Sequence, residues 1–169
     1  GGHPVSLFQS VSYNDYGSLR KTWENFHELC QAGKVCSAWA VGSGGLAEGI
    51  MKMSFGNRVG FTAEPSAESS LFYTGMCGAI LAECDGPVPG GMLVGHTTDS
   101  ANIFLGGESA TVDQLRAINE GVLEEVYPTR AGTSGKVEPI SWTGRSPAVC
   151  AHKTARPRAV IPVFPGTNC

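Results

Sequence analysis

No stretch of the sequence stays apolar over the roughly 18 residues needed to cross a bilayer, and the N-terminus carries no basic segment followed by an apolar one. These absences predict a chain that neither spans a membrane nor is secreted, and that works in the cytoplasm. Histidine pairs at helical spacing are missing as well, since His3, His27, His96 and His152 are scattered. The six cysteines, Cys30, Cys36, Cys77, Cys84, Cys150 and Cys169, match neither zinc-ligand spacing nor a C-x-x-C redox pair. No metal site is expected, and the cysteines read as reduced thiols. Glu48, Glu83, Asp85 and Asp99 stand near expected element ends, where magnesium binding is conceivable but a solvated carboxylate is the commoner case. There is no internal repeat and no low-complexity tract.

What is present is a globular composition: 41% hydrophobic and 16% charged residues, with 23 glycines among 169 residues. That length is enough for one domain with an appendage and a core that needs no staples. All but one of the 15 acidic side chains lie in residues 1–128, whereas the 12 basic ones divide evenly between that segment and the remainder. An acidic body disfavours nucleic acid, which requires a basic face to neutralise phosphate. The basic tail has the charge to bind RNA, but a linker lying on acidic surfaces of the same protein is the favoured reading.

Hydrophobic spacing predicts a strand over Val5 to Phe8, then a helix with Leu19, Trp23, Phe26 and Cys30 on one face and Gly33 as its stop. Lys34 to Val41 reads as a strand covered on both sides. It runs into Gly42-Ser43-Gly44-Gly45, after which Leu46, Ile50 and Met53 mark a second helix, with Ser43 as its N-cap and Gly56-Asn57 as its end. Strands are expected over Arg58 to Ala63, Cys77 to Glu83 and Met92 to Thr97, with a loop over Glu64 to Ser70. A hairpin over Asn102 to Leu105 and Glu108 onward turns about Gly106-Gly107. Thr111 and Gln114 form a capping-box pattern for a last helix, whose Leu115, Ile118, Val122 and Val126 share a face until Pro128. Residues 129–157 have linker composition, with Trp142 suggesting that the linker docks, and AVIPVF (Ala159 to Phe164) reads as a strand. Such a strand needs neighbours, which are expected beyond residue 169.

Strand, glycine turn and helix in succession leave free N–H groups and the positive end of a helix dipole facing outward, which suits an anion such as phosphate. The pattern is neither a Walker A loop nor a full G-x-G-x-x-G fingerprint, and the spacing alone favours an ordinary tight turn over an anion site. Cys169 follows a strand in a glycine-containing loop, but no base can be assigned to it, so a nucleophile role is disfavoured.

Four stretches, in this order, resemble phosphoribosylformylglycinamidine synthase: SAWAVGSGGLAEGIMKMSFGNRVGF (Ser37 to Phe61), LFYTGMCGAILAEC (Leu71 to Cys84), LEEVYPT (Leu123 to Thr129) and AVIPVFPGTNC (Ala159 to Cys169). That family is a purine-biosynthesis amidotransferase. With glutamine and ATP it converts formylglycinamide ribonucleotide to the amidine: the formamide oxygen is phosphorylated and then displaced by ammonia. The resemblance implies an α/β (α+β) fold with a mixed sheet packed with helices. Residues 3–128 would be the second aminoimidazole-ribonucleotide-synthetase-type C-terminal domain of the large single-chain form, 129–157 a linker, and 158–169 the first strand of a class I glutaminase domain. The chain is then a piece of a larger enzyme, inactive alone.

By the same resemblance, Ser43, Gly44 and Gly45 match a turn associated with phosphate binding. Gly44 stands where many members carry a carboxylate, so no carboxylate role is expected there. No residue of this stretch is catalytic, Cys169 is not the glutaminase nucleophile, and ATP and Mg2+ serve the parent enzyme without being held tightly here. The expected partners are formylglycinamide ribonucleotide and the ATP-binding and glutaminase domains of the same enzyme, with no nucleic acid and no membrane. The alternatives are the C-terminal domain of another ATP-dependent synthetase or kinase of that superfamily, and a non-catalytic ligand-binding module.

Overall fold

The computed structural model describes residues 2–10, 14–130, 132, 138–145, 155–156 and 158–167. Tertiary contacts divide the chain into two units, Gly1–Ala131 and Gly132–Cys169. The first runs β1 (Pro4–Phe8), α1 (Tyr16–Gln31), β2 (Val35–Ala40), α2 (Gly45–Asn57), β3 (Gly60–Ala63), α3 (Ser69–Tyr73), β4 (Ile80–Cys84), β5 (Met92–Thr98), β6 (Asn102–Leu105), β7 (Glu108–Thr111) and α4 (Val112–Gly121). The strands form one sheet in the order β2-β4-β1-β5-β3-β6-β7. Every pairing is antiparallel except β3 with β6, so the sheet is mixed, as expected.

β1 sits inside the sheet between β4 and β5, and both of its faces are covered. Val5 and Leu7 point to one side and Phe8 to the other, as the period of two requires, and all three are buried. On the first side they join Leu81, Phe61, Val94 and Ile103 of the sheet with Leu46 and Ile50 of α2, Phe72 of α3 and Val112 of α4. On the other side Phe8, Ala82 and Cys84 meet Leu29 and Phe26 of α1, with the Phe8 and Phe26 rings edge to face at 5.2 Å. The first unit is therefore a sheet with α1 on one face and α2, α3 and α4 on the other.

Several local expectations change in the folded chain. β2 is an edge strand, not one covered on both sides: it pairs with β4 alone, and Ala38 and Ala40 are exposed. The inward line of α1 passes through Phe26 and Leu29, leaving Cys30 outside. Trp23 is 48% exposed and donates its indole N–H to the Gly78 carbonyl at 2.9 Å. Leu71 to Tyr73 are helical and belong to α3, which begins inside the stretch expected to be a loop.

The capping box of α4 forms as its residues dictate. The Thr111 hydroxyl accepts from Gln114 N–H at 3.1 Å, and the Gln114 side chain accepts from Thr111 N–H at 3.0 Å. The helix ends at Gly121, however, and only its first turn reaches the core, through Val112 and Leu115. Ile118, Val122 and Val126 are 69%, 76% and 84% exposed.

In the second unit Trp142 is exposed, and its ring lies against Gly144. Residues 158–164 carry no strand pairing; Val160, Ile161, Val163 and Phe164 are exposed. Pro165-Gly166 forms a turn closed by two bonds: Thr167 N–H to the Phe164 carbonyl, and Phe164 N–H to the Thr167 hydroxyl, both at 2.9 Å. Cys150, His152 and Cys169 lie outside the described residues.

Candidate functional site

The glycine turn begins where β2 leaves the sheet. Val41 N–H still donates to the Ala79 carbonyl, at 2.9 Å, and the chain then reverses so that Gly45 N–H meets the Gly42 carbonyl at 3.2 Å. Ser43 and Gly44 form the exposed tip, and Gly45 is buried as the first residue of α2. Ser43 does not cap the helix, contrary to expectation. The N-cap is Gly44, and no side chain supplies the cap bond.

Two of these glycines are required by geometry. Gly45 has φ +66°, and a Cβ there would lie 2.6 Å from the Phe72 carbonyl oxygen and 2.9 Å from that of Thr74. The end of α3 thus lies against the inner side of the turn. At Gly44 a Cβ would lie 2.6 Å from Glu48 Oε2 and 2.7 Å from Glu48 Cβ.

That second contact exposes a residue whose role the sequence reading missed. Glu48, in the first turn of α2, folds its side chain back so that Oε2 accepts from Gly44 N–H at 3.2 Å. Its Oε1 accepts from Lys52 Nζ at 2.8 Å, and that ammonium also lies 5.6 Å from the Trp39 ring centre. The hydrogen bond from Lys52, its charge and the Gly44 amide together hold the Glu48 carboxyl below the usual carboxylate range. The anion that suits this helix N-terminus is thus supplied by the chain itself. The i, i+4 pair Glu48-Lys52 directly after the glycines was the available sequence signal.

Beside the turn lies an apolar groove of about 270 Å³. It runs between α2 and the β6–β7 hairpin, lined by Met51, Tyr73, Ile103, Leu105 and Leu115, and Glu48 lies at both the groove and the turn. The two features therefore form one continuous candidate site, in which an anionic group at Ser43–Gly45 would have an apolar companion surface.

The remaining sequence candidates are dispersed. Glu83 accepts from the Ser37 hydroxyl at 2.9 Å, His96 Nδ1 meets Glu64 Oε1 at 3.0 Å, and Asp85 and Asp99 are exposed. Among the described residues no three His, Cys, Asp or Glu side chains are grouped to hold a metal ion. Cys30, Cys36 and Cys77 are free and exposed, and Cys84 is free and buried. No described helix is long and apolar enough to cross a membrane.

No family model matches the sequence, and no curated protein does. Solved structures do. The chain is similar to T. maritima PurL complexed with AMPPCP, at 15% identity and a TM-score of 0.52 over 85% of this chain and 29% of that one. It is similar to T. maritima PurL complexed with FGAR, at 13% identity and a TM-score of 0.55 over 86% and 31%. It is similar also to PurLQS from Thermotoga maritima, at 14% identity and a TM-score of 0.54 over 83% and 29%. The chain thus shares its fold with a segment of PurL and spans less than a third of those chains.

Proposed function

We propose that this chain is the substrate-side domain of an ATP-dependent, glutamine-using ligase, phosphoribosylformylglycinamidine synthase, in which Ser43, Gly44 and Gly45 seat a phosphate of the ribonucleotide substrate or of the nucleotide. The observation that carries the reading is the fold shared with PurL, which has been solved in complex with FGAR, AMPPCP, ATP and ADP. The ordered motifs from Ser37 to Cys169 agree with it.

The chain's own part in this reading is positional. A helix N-terminus offers amide donors and a partial positive charge, and the bare Gly44 lets an oxyanion approach the backbone. Glu48 has to swing away for that to happen, which leaves Lys52 as a second positive partner for the incoming phosphate. ATP supplies the activating phosphoryl group of the parent reaction. Mg2+ would arrive with the nucleotide phosphates and the ATP-binding domain. Residues 129–157 link this domain to a glutaminase domain whose first strand is AVIPVF, and the enzyme is cytoplasmic. Alone, the chain has no activity, and it binds neither nucleic acid nor membrane.

The Glu48–Gly44 bond favours a second reading, in which the turn is permanently closed and its role is purely architectural. Kinetics separate the two. In the longer protein containing this chain, assayed for ATP- and glutamine-dependent amidine formation, Gly44→Val is expected to raise the KM for the ribonucleotide or for ATP about tenfold while leaving kcat near wild type. Unchanged kinetics would favour the architectural reading, and a wild-type protein without that turnover would overturn the assignment.

A further inference from the structure

At the other end of α2 from the glycine turn, a cavity of about 200 Å³ lies between the last turns of the helix and the sheet. Its walls mix apolar side chains, among them Val5, Ile50, Met53, Phe61 and Leu81, with polar ones such as Ser54 and Thr97, and one carboxylate enters the lining, that of Glu83. Glu83 is half-buried on β4, and its one recorded polar contact is the 2.9 Å bond from the Ser37 hydroxyl; among the described residues no cation pairs with it.

A second source of negative potential lies at the same place. α2 ends at Asn57, which also lines the cavity, and the last carbonyls of a helix carry about half a negative charge. A basic side chain in the last turn can meet such an end, and α2 has none there. The neighbouring Arg58, its left-handed C-cap, is engaged instead with Asp113. Cys36, also in the lining, stays a neutral thiol, because desolvation of its sulfur and the charges of Glu83 and Asp85 push its pKa up.

We infer that this cavity is a binding site for a small alkylammonium group, its nitrogen held by Glu83 and the carbonyl end of α2 and its carbons packed against Ile50, Met53 and Phe61. An anion meets two like-signed fields there. Among the described residues no three His, Cys, Asp or Glu side chains are grouped there as a metal set. At roughly 30 Å³ per heavy atom the space accepts about five to seven non-hydrogen atoms, the size of butylammonium. The inference is independent of any role for the glycine turn.

The test is a nuclear magnetic resonance titration of the chain with n-butylammonium chloride, and with sodium butyrate and 1-butanol at matched salt. Butylammonium is expected to shift Ile50, Met53 and Phe61 saturably, with a Kd on the order of millimolar. Butyrate should leave them unmoved, and 1-butanol should bind at least about tenfold more weakly. Glu83→Gln should weaken butylammonium by a similar factor without moving its shifts to another site. Absence of saturable shifts with butylammonium, equal binding of 1-butanol, or undiminished binding by a folded Glu83→Gln variant would each overturn the site. The 1-butanol comparison, made on the wild-type protein, decides the matter if Glu83→Gln does not fold.

Discussion

Phe72→Ala is expected to lower the unfolding free energy by about 3–5 kcal/mol, among the larger losses available to this chain. The side chain is fully buried and meets the Phe61 ring edge to face at 6.4 Å. It is also the one buried residue of α3, a helix of five residues. A helix that short has no stability of its own, because nucleation fixes several dihedrals for each early hydrogen bond. Removing the ring therefore takes away more than its buried area: α3 loses its hold on the sheet, and the wall that α3 forms behind Gly45 goes with it. Urea unfolding of wild type and variant reads the loss as a shift in midpoint at constant slope. A loss below about 1 kcal/mol would mean that α3 is held by something other than Phe72.

The second large effect falls on the turn itself. Gly45→Ala forces a Cβ into a left-handed backbone, at about 1–2 kcal/mol, and drives it against the Phe72 and Thr74 carbonyl oxygens. Overpacking of that kind costs about another 1–3 kcal/mol. Gly33 provides an internal control, since its φ of +68° nearly equals the +66° of Gly45 but nothing lies within 4 Å of its missing Cβ. Gly33→Ala should therefore show the backbone penalty alone. A total of roughly 2–5 kcal/mol for Gly45→Ala against about 1–2 for Gly33→Ala is the expected pair of values in the same unfolding experiment. Equal losses would remove the argument that α3 packs on the glycine turn.

How far the fold could be read in advance depended on whether the signal was local. The capping box at Thr111 and Gln114 and the turn at Gly106-Gly107, with φ values of +54° and +90°, are determined within four residues and appear as expected. So does the passage from β2 through glycines into α2. Ser43 fits a cap by residue type, whereas Gly45 turns left-handed and the cap falls on Gly44. The edge position of β2 could not be read at all, because edge and centre differ in which strands lie alongside, a property of the whole sheet. In α4 the apolar spacing of Ile118, Val122 and Val126 suggested burial, yet the helix stops at Gly121 with those side chains exposed.

At the site, the glycines signal an open helix N-terminus, and the pair that fills it is written in the sequence as plainly. Glu48 and Lys52 stand one helical turn apart, a spacing that pairs them on any helix. The folded chain shows the carboxylate bridging the two, one oxygen on Lys52 and the other turned back to the Gly44 amide.

The claim that Ser43–Gly45 is an anion seat closed by Glu48 is tested most directly by titrating inorganic phosphate into wild-type chain and the Glu48→Ala variant while following the amide resonances of Ser43, Gly44 and Gly45. The wild type should respond weakly. In Glu48→Ala the same amides should shift saturably, with an affinity at least about tenfold higher, as the competing carboxylate is gone and Lys52 is released. Amides that stay unmoved in both proteins, or shifts that fall elsewhere on the chain, would contradict the account.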